Sequence, residues 1–371
     1  MNAPYDFDAE LRAIADLPDD SPRTLPGRFY TAPEQFTRER AEVVSTGWHC
    51  LGRVDALAEP GDYIATQIAD EPIVAVRGGD GDIAVLSNIC RHRGMPLVQG
   101  QGRTKRLVCP YHAWTYGLDG ALQKAPHLKN AGFDPKTCAL PRFTAEAWNG
   151  FLYVSLDENP APLAPQLADL DALLAPYDPG AYELVHTEEE VWACNWKCLV
   201  ENFMEGYHLS VVHPQTLRSY TPSELARKLA SGPVFTSYIA HYPEGTPSRG
   251  KGAPGLTADQ RNQSVLFSVF PCQVVSISAN LLVSLSLRPI ATDRVDVTWT
   301  MSIYPGDRDD EVIQHRIGLW QQVNSEDREQ LEALQKGLAS RHASSGPLAG
   351  ADMEGTIRDF HLFLARTLLG R

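Results

Sequence analysis

The sequence predicts an α+β protein: a small all-β domain plus a larger domain in which helices cover a curved antiparallel sheet. The length of 371 residues exceeds what one ordinary core usually reaches, so two domains are expected. Short β-branched runs separated by turn residues fill the chain from about residue 50 to 155. Beyond them, long strand patterns alternate with helical patterns. We therefore expect one domain at 45–155 and a second built from 1–44 and 156–371.

The small domain is predicted from runs such as DYIATQIADEPIVAVRGGDGDIAVLSNIC at 62–90, in which β-branched residues alternate with turns. RLVCPYHAWTYGLDG and FLYVSL continue this pattern. Residues 79–84 match GxGxxA, the dinucleotide-binding fingerprint, but that motif requires a helix after its glycines. Because DIAVLSNI has the pattern of a strand, we interpret 79–84 as a hairpin turn.

The larger domain is predicted from helical and strand patterns that flank the small one. FTRERAEVVSTGW at 36–48 has helical character, and a Pro- and Ala-rich crossing at 158–180 leads to WKCLVENFMEG, another helical stretch. The segment at 309–340 is predicted as one long helix or a pair. Four segments have the pattern of long antiparallel strands: FTSYIAHYPEG, SVLFSVFPCQVVSISA, LLVSLSLRPI and RVDVTWTMSIYP.

The charge balance excludes some classes of partner. The chain has 33 Lys and Arg against 46 Asp and Glu, a net charge of −13, which argues against nucleic acid and anionic membranes. No apolar run reaches the ~18 residues of a membrane helix, and the N-terminus lacks the basic-then-apolar order of a secretory signal. Seven scattered cysteines do not form a disulfide framework. We expect a soluble, cytoplasmic protein.

Two short Cys and His motifs lie in the small domain, CRH at 90–92 and CPYH at 109–112. Thiolates and imidazoles bind soft or borderline metals, so these residues alone allow a structural zinc site. A Cys followed by a His in both loops also suits a centre with two unlike irons. We interpret the remaining cysteines as buried apolar side chains: Cys50, Cys138, Cys194, Cys198 and Cys272.

The residues around these motifs carry a more specific signal. CRHRG and CPYHAWTYGLDG resemble the two cluster loops of the Rieske oxygenase family in residue type, spacing and flanking residues. The resemblance implies a Rieske [2Fe–2S] cluster in which Cys90 and Cys109 bind one iron, and His92 and His112 bind the other. Each histidine then keeps a second ring nitrogen that can donate a hydrogen bond outward.

A second group of possible ligands lies in ENFMEGYHLSVVHP at 201–214, with two histidines beside two glutamates. Two histidines and one carboxylate on one face of an iron leave positions open for dioxygen, the arrangement of non-haem Fe(II) oxygenases. NWKCLVENFMEGYHLSVVH resembles the mononuclear-iron motif of the same family, of the aromatic-ring-hydroxylating alpha-subunit type. The resemblance implies that His208 and His213 are iron ligands.

The resemblance places the third iron ligand far along the chain. SEDREQLEALQKGLAS at 325–340 resembles the segment that supplies the carboxylate, with Asp327 in the corresponding place. Helical geometry puts Glu326 one position away, so we expect it to point elsewhere, and Glu332 lies more than a turn later.

The resemblance also assigns an electron bridge. The family typically has an aspartate three residues before the first iron-binding histidine, hydrogen-bonded to a cluster histidine, often across a subunit boundary in a trimer. This chain has Glu205 there, which keeps the charge and adds one methylene. We interpret Glu201 and Asn202 as supporting the helix and the site, with Asn202 the better candidate for a role next to the ligands.

By resemblance, the chain is the terminal oxygenase of a system that uses O2 as co-substrate. Electrons would come from a separate NAD(P)H-dependent reductase, with or without a ferredoxin, because no C-x₄-C-x₂-C run or dinucleotide fold is predicted here. A glutamate in the bridging place is typical of the quaternary-ammonium branch that acts on carnitine or glycine betaine, and implies oxidative demethylation of a small molecule by a homotrimer.

A quaternary ammonium group binds well against aromatic faces. The available aromatic residues are Tyr207, Tyr220, Phe235, Tyr238, Tyr242, Phe267 and Phe270, none of which the sequence assigns. Three alternatives stay open: hydroxylation or cis-dihydroxylation of an aromatic compound, an electron-transfer Rieske protein, and a zinc-stabilised binding module.

Overall fold

The computed structural model describes residues 5–129, 132–247 and 250–370. The chain divides into two compact units, Ser45–Ala161 and the combination of Met1–Val44 with Pro162–Arg371, here called the small unit and the large unit. Each unit has its own buried apolar core.

The small unit is built from two antiparallel sheets. The larger sheet has seven strands in the order β1-β10-β9-β4-β3-β2-β5, and the smaller has the order β6-β7-β8. The predicted hairpin is confirmed, because β3 and β4 pair directly across the 79–84 turn, with Arg77 opposite Ile83. The strands are β1 Trp48–Arg53, β2 Asp62–Ile68, β3 Glu71–Arg77, β4 Ile83–Ser87, β5 Gln101–Arg103, β6 Leu107–Val108, β7 Thr115–Tyr116, β8 Leu122–Lys124, β9 Arg142–Trp148 and β10 Phe151–Ser155.

The large unit contains a seven-stranded antiparallel sheet in the order β11-β17-β16-β15-β14-β13-β12. The α+β class, with a curved antiparallel sheet and helices, is confirmed. The strands are β11 Glu183–Trp192, β12 Ala226–Lys228, β13 Phe235–His241, β14 Gln263–Val269, β15 Gln273–Ser278, β16 Leu281–Ala291 and β17 Arg294–Ile303.

Helices pack against this sheet. Their bounds are α1 Phe7–Ala15, α2 Arg28–Thr31, α3 Pro33–Glu39, α4 Leu163–Gln166, α5 Ala168–Leu174, α6 Trp196–Phe203, α7 Leu209–Val212, α8 Ala258–Arg261, α9 Asp310–Leu338 and α10 Ala351–Leu369. The helical stretch expected at 36–48 is shorter, since α3 passes into one π turn at Arg40–Val44 and β1 begins at Trp48. Across the described parts of the chain, no helix combines the length and apolar character needed to cross a membrane.

Helix α9 brings polar side chains into the interior of the large unit. Its buried residues recur at helical spacing, so one face packs inward. They are Ile313, Ile317, Trp320, Val323, Asn324, Asp327, Leu331 and Gln335. Burying a carboxylate is costly unless a partner compensates its charge, so Asp327 on this face requires a partner.

Candidate metal centres

The two cysteine loops of the small unit share one backbone conformation. The amide of Cys90 donates to the carbonyl of Met95, and that of Gly94 donates back to Cys90. The amide of Cys109 donates to Trp114, and that of Ala113 donates back to Cys109, so both loops repeat the same pair of bonds. The fourth residue after each cysteine has a left-handed backbone, with φ of 76° at Gly94 and 57° at Ala113. Each loop therefore forms a comparable cradle at a sheet end.

The four predicted cluster ligands divide by burial. The thiols of Cys90 and Cys109 are buried, while His92 and His112 are exposed, with ring centroids 4.8 Å apart. A [2Fe–2S] cluster of the Rieske type needs sulfur donors on one iron and imidazoles on the other. Two inward thiols and two outward imidazoles on matched loops fit that requirement. The ring of His92 stacks on the buried Trp114 at 4.9 Å, which holds its plane.

Tyr116 contacts the first sulfur. Its hydroxyl lies 3.3 Å from the Cys90 Sγ and accepts a hydrogen bond from the Arg91 amide at 3.0 Å. Burial, and then the bond to Cys90, raise the pKa of Tyr116 far above its usual range, so the hydroxyl keeps its proton. Because the Tyr116 oxygen already accepts a hydrogen bond from the Arg91 amide, the hydroxyl proton is directed at the Cys90 sulfur.

The predicted iron ligands of the large unit converge. His208 directly precedes α7, His213 directly follows it, and Asp327 comes from α9. One ligand atom of each lies within 4.8 Å of the others. The Asp327 Oδ1 is 3.1 Å from the Nε2 of His213 and 3.6 Å from the Nε2 of His208. No other set of three or more His, Cys, Asp and Glu residues meets this criterion among the described residues.

The protonation of both rings follows from their other nitrogens. The Nδ1 of His208 donates to Glu205 Oε1, and the Nδ1 of His213 donates to Glu326 Oε2 at 2.7 Å. In its neutral form, the one that binds a metal, each ring then presents an unprotonated Nε2 toward Asp327. The Nε2 of His213 and Oδ1 of Asp327 are buried with no hydrogen-bond partner among the described residues. Three acceptors facing one another without a donor repel unless a cation lies between them, so the site fits a metal ion.

Glu205 accepts three hydrogen bonds within its own loop. Its Oε2 accepts from the amides of Tyr207 and His208, and its Oε1 from the His208 ring. Burial lowers the pKa of His208, but the hydrogen bond and charge of Glu205 and the charge of Asp327 outweigh it, so the net pKa is raised. Glu205 therefore orients His208.

Glu326 points in a different direction from Asp327, as expected, but its contact with His213 was missed. Its carboxylate accepts from the His213 ring and, at 2.7 Å, from the Thr216 hydroxyl. Burial raises its pKa, but these bonds and one from Gln322 lower it overall. The sequence signal lay in the helix itself: adjacent residues on a helix point about 100° apart, so both Glu326 and Asp327 can reach one imidazole.

The other carboxylate in the motif lies behind the metal residues. The Glu201 Oε1 accepts from the Tyr30 hydroxyl at 2.7 Å and lies 3.0 Å from the His361 Nε2. It therefore ties α6 to α2 and α10, consistent with its expected supporting role. The Asn202 side chain is half-buried and makes no hydrogen bond within the described parts of the chain, so nothing in these contacts assigns it a role.

The large unit also contains a pocket whose lining includes Leu209, the residue after His208. Its cavity volume is ≈ 50 Å³, smaller than the roughly 300–1,000 Å³ of typical small-molecule sites. The pocket has three aromatic residues and several hydroxyls and no charged side chain among the described residues that line it. The lining comprises Leu209, Leu217, Tyr220, Thr221, Tyr238, Ala240, Ser264, Leu266, Ser276, Ser278, Leu281, Leu319 and Trp320. Only Tyr220 and Tyr238 come from the aromatic residues noted in the sequence, and Trp320 was missed.

The fold and the two groups of residues are those expected of an iron protein with a Cys₂His₂ centre in an all-β unit and a two-histidine, one-carboxylate centre in an α+β unit. Comparison of the chain with protein-family models agrees with this assignment. Residues 47–144 match the Rieske [2Fe-2S] domain, and residues 178–370 match the ring hydroxylating alpha subunit (catalytic domain). The chain belongs to the ring-hydroxylating alpha-subunit family, and the predicted family is confirmed.

Several curated proteins are similar in sequence to this chain. The chain is 39% identical over 218 residues to the glycine betaine monooxygenase oxygenase subunit of Chromohalobacter salexigens, covering 58% of this chain and 49% of that one. It is 35% identical over 195 residues to the carnitine monooxygenase oxygenase subunit of Escherichia coli, covering 52% of each. The chain thus spans about half the length of these relatives. The chloroplastic choline monooxygenase of Spinacia oleracea is 25% identical over 98% of this chain and 81% of its own.

Solved structures share the fold. A quaternary ammonium Rieske monooxygenase in complex with L-carnitine matches with a TM-score of 0.79 at 24% identity, covering 99% of each chain. Naphthalene 1,2-dioxygenase from Rhodococcus sp. matches with a TM-score of 0.85 at 20% identity, covering 98% of each chain.

Proposed function

We propose that this chain is the terminal oxygenase component of a Rieske oxygenase system that hydroxylates an N-methyl group of a small quaternary ammonium compound. The observation that carries the proposal is the convergence of His208, His213 and Asp327 as three acceptor atoms without a donor. Curated relatives named for glycine betaine and carnitine support the substrate class.

In this proposal each centre has its own protein ligands. Cys90, Cys109, His92 and His112 hold the [2Fe–2S] cluster, and His208, His213 and Asp327 hold a mononuclear Fe(II). When bound, the cluster transfers single electrons and the mononuclear iron activates O2 for attack on the substrate. The protein contributes orientation, because the two iron-binding imidazoles are fixed through their second nitrogens and one cluster imidazole is fixed by stacking.

Glu205 serves as the electron bridge in the proposed oxygenase. A carboxylate has about four acceptor positions, and the three bonds from its own loop leave one on Oε1. An exposed cluster histidine of a second copy has a ring N–H that fits this position. The neighbouring side chains are apolar and open, with Tyr207 60% and Val211 80% exposed. Tyrosine is enriched at protein–protein interfaces, which supports a second copy that covers this side.

Charge distribution supports assembly of several copies, for which we propose a homotrimer. Residues 83–118, which carry both cluster loops, hold five Lys or Arg and no Asp or Glu. Outside residues 45–161 the chain holds 22 Lys or Arg against 34 Asp or Glu. The cluster edge of one copy and the acidic large unit of another are therefore complementary, which favours contact between them.

The pocket supports a cationic substrate. Tyr220, Tyr238 and Trp320 offer aromatic faces, and a quaternary ammonium ion is attracted to such faces. Hydroxylation consumes one O2, two electrons and two protons; one oxygen atom enters a C–H bond of the N-methyl group and the other leaves as water. The N-hydroxymethyl group then leaves as formaldehyde when its C–N bond breaks, releasing the tertiary amine and a proton.

Electrons would come from a separate NAD(P)H-dependent reductase, directly or through a ferredoxin. The names of the relatives, each an oxygenase subunit, support a system of several components. We place the protein in the cytoplasm, since none of the seven cysteines forms a disulfide and a reducing compartment keeps them reduced.

The test combines the chain, a reductase of this family and NADH, and measures formaldehyde and O2 uptake for choline, glycine betaine, carnitine and an aromatic acid. Formaldehyde in step with O2 uptake for a methylated ammonium compound is the expected result. Asp327→Ala should lose the mononuclear iron and turnover while the cluster keeps its visible spectrum, and Glu329→Ala on the same helix should lose neither. Products hydroxylated on the aromatic ring would instead establish the alternative substrate class.

A further inference from the structure

We propose that Glu326 is a positioning residue that fixes His213 for metal binding and joins the His213 loop to α9. The inference rests on the proposed function, because it assumes that His213 binds the mononuclear iron. It concerns a carboxylate that does not itself reach the metal position.

The two nitrogens of His213 face adjacent residues of one helix. The Nδ1 donates to the Glu326 Oε2 at 2.7 Å, and the Nε2 lies 3.1 Å from the Asp327 Oδ1. His213 is completely buried, so water cannot replace either partner. The bond at Nδ1 fixes the tautomer that leaves Nε2 unprotonated, the form that a metal requires.

Glu326 is itself held by two further donors. The Thr216 hydroxyl donates to the same Oε2 at 2.7 Å, and the Gln322 amide donates to Oε1 at 3.1 Å from one turn earlier on α9. Thr216 follows His213 in the same loop, so one carboxylate receives two bonds from that loop. This contact fixes the distance between the loop and the helix that supplies Asp327.

The arrangement matches the way a carboxylate behind a ligating histidine acts in metal sites, where it orients the ring and raises its basicity. Loss of such a partner costs about 10–100-fold in metal affinity. Gln in place of Glu keeps an acceptor oxygen without charge, and a neutral hydrogen bond is roughly half as strong as a charged one. Glu326→Gln should therefore have a smaller effect than Glu326→Ala.

The experiment measures Co(II) and Fe(II) affinity of the full chain, with its cluster loaded and its mononuclear metal removed, by anaerobic competition with a chromophoric chelator. Glu326→Ala should bind about 10–100-fold more weakly than the unaltered protein and show a changed Co(II) d–d spectrum. Glu326→Gln should bind about three- to tenfold more weakly. Glu329→Gln, an exposed carboxylate on the same helix, is the matched control and should leave both readouts unchanged.

Affinity within about twofold of the unaltered protein for Glu326→Ala, with the same Co(II) spectrum, would overturn the inference. If Glu326→Ala does not fold, Glu326→Gln decides alone, and unchanged binding by that variant refutes the positioning role. Asp327→Ala separates this inference from the proposed function: full metal binding by Asp327→Ala would remove the proposed iron site itself, whatever Glu326 does.

Discussion

The contact between Tyr116 and the Cys90 sulfur predicts a change in cluster potential. Tyr116 is fully buried, its hydroxyl lies 3.3 Å from the Sγ, and its oxygen accepts from the Arg91 amide. Tyr116→Phe removes the hydroxyl hydrogen bond to sulfur with little change in volume. Hydrogen bonds to the sulfurs raise the potential of iron–sulfur clusters, since reduction adds a negative charge that a donor stabilises.

The size of the shift follows from bond strengths. A hydrogen bond to a charged group is worth about 1.5–3 kcal/mol and one to a neutral group about 0.5–1.5 kcal/mol. The reduced cluster therefore gains about 1 kcal/mol more than the oxidised cluster from this one bond. For a one-electron couple, 59 mV corresponds to a factor of ten, or about 1.4 kcal/mol. Tyr116→Phe should lower the midpoint potential by about 40 mV.

The assay is an anaerobic potentiometric titration of the purified protein, followed by visible circular dichroism and by electron paramagnetic resonance of the reduced cluster. The control is Tyr111→Phe. That ring lies 3.9 Å from the His112 ring but is 56% exposed, and its hydroxyl has no described contact with a sulfur. A potential that stays constant or rises in Tyr116→Phe would refute the donor role of the hydroxyl.

Three further predictions concern the large unit. Glu39 and Lys197 form a fully buried ion pair at 2.6 Å, so Glu39→Ala should lower the free energy of unfolding by about 3–5 kcal/mol in urea titrations. Glu39→Leu with Lys197→Met should lower it by less, because no unpaired charge stays buried, although Gln35 and Trp196 lose an acceptor. Glu205→Gln should slow reduction of the mononuclear site at least about tenfold in stopped-flow single turnover while both metals stay bound; unchanged rates would contradict the bridge. Trp320→Ala should weaken the binding of choline by about 0.5–2 kcal/mol, measured by calorimetry, and should weaken the binding of its neutral analogue 3,3-dimethylbutan-1-ol by less. Equal losses of binding free energy for the two compounds would exclude recognition of the charge.

Short-range sequence patterns predicted much of both sites. The ligand types and spacing in 90–92 and 109–112 carried the cluster prediction, and the family model for residues 47–144 bears out the Rieske [2Fe–2S] cluster. The shared backbone of the two loops could not be predicted, because the histidine follows its cysteine by two residues in one loop and three in the other. The similarity lies in the backbone hydrogen bonds and in the left-handed conformation of Gly94 and Ala113. Neither can be recognised from the amino-acid sequence.

The hydrogen-bond partner of Glu326 could not be predicted from the sequence. Helical geometry correctly separates its direction from that of Asp327. Whether that direction leads to solvent or to an imidazole depends on where the His213 loop packs, more than a hundred residues earlier in the chain. The same holds for Trp320, whose place in the pocket depends on the sheet opposite α9. Local pattern fixes the direction of a side chain, and tertiary packing decides what it meets.

The two histidines of the mononuclear site are equivalent as ligands but differ in surroundings. Each donates its Nδ1 proton to a carboxylate that accepts three hydrogen bonds in all. Glu205 lies beside the exposed apolar residues Tyr207 and Val211, whereas the neighbours of Glu326 on α9 include the exposed polar residues Gln322 and Ser325.

Because their surroundings differ, the two carboxylates can have separate roles, Glu205 in electron entry and Glu326 in metal binding. A surface with apolar residues can be covered by another protein without leaving polar groups buried and unpaired. The side of the site that carries His208 therefore suits contact with the protein that supplies the electron. The buried His213, held by Glu326, suits a fixed anchor that keeps the metal in place. Altering Glu205 should therefore change the rate of reduction more than metal affinity, and altering Glu326 should do the reverse. Equal effects of both substitutions on both quantities would mean that the two carboxylates share one role.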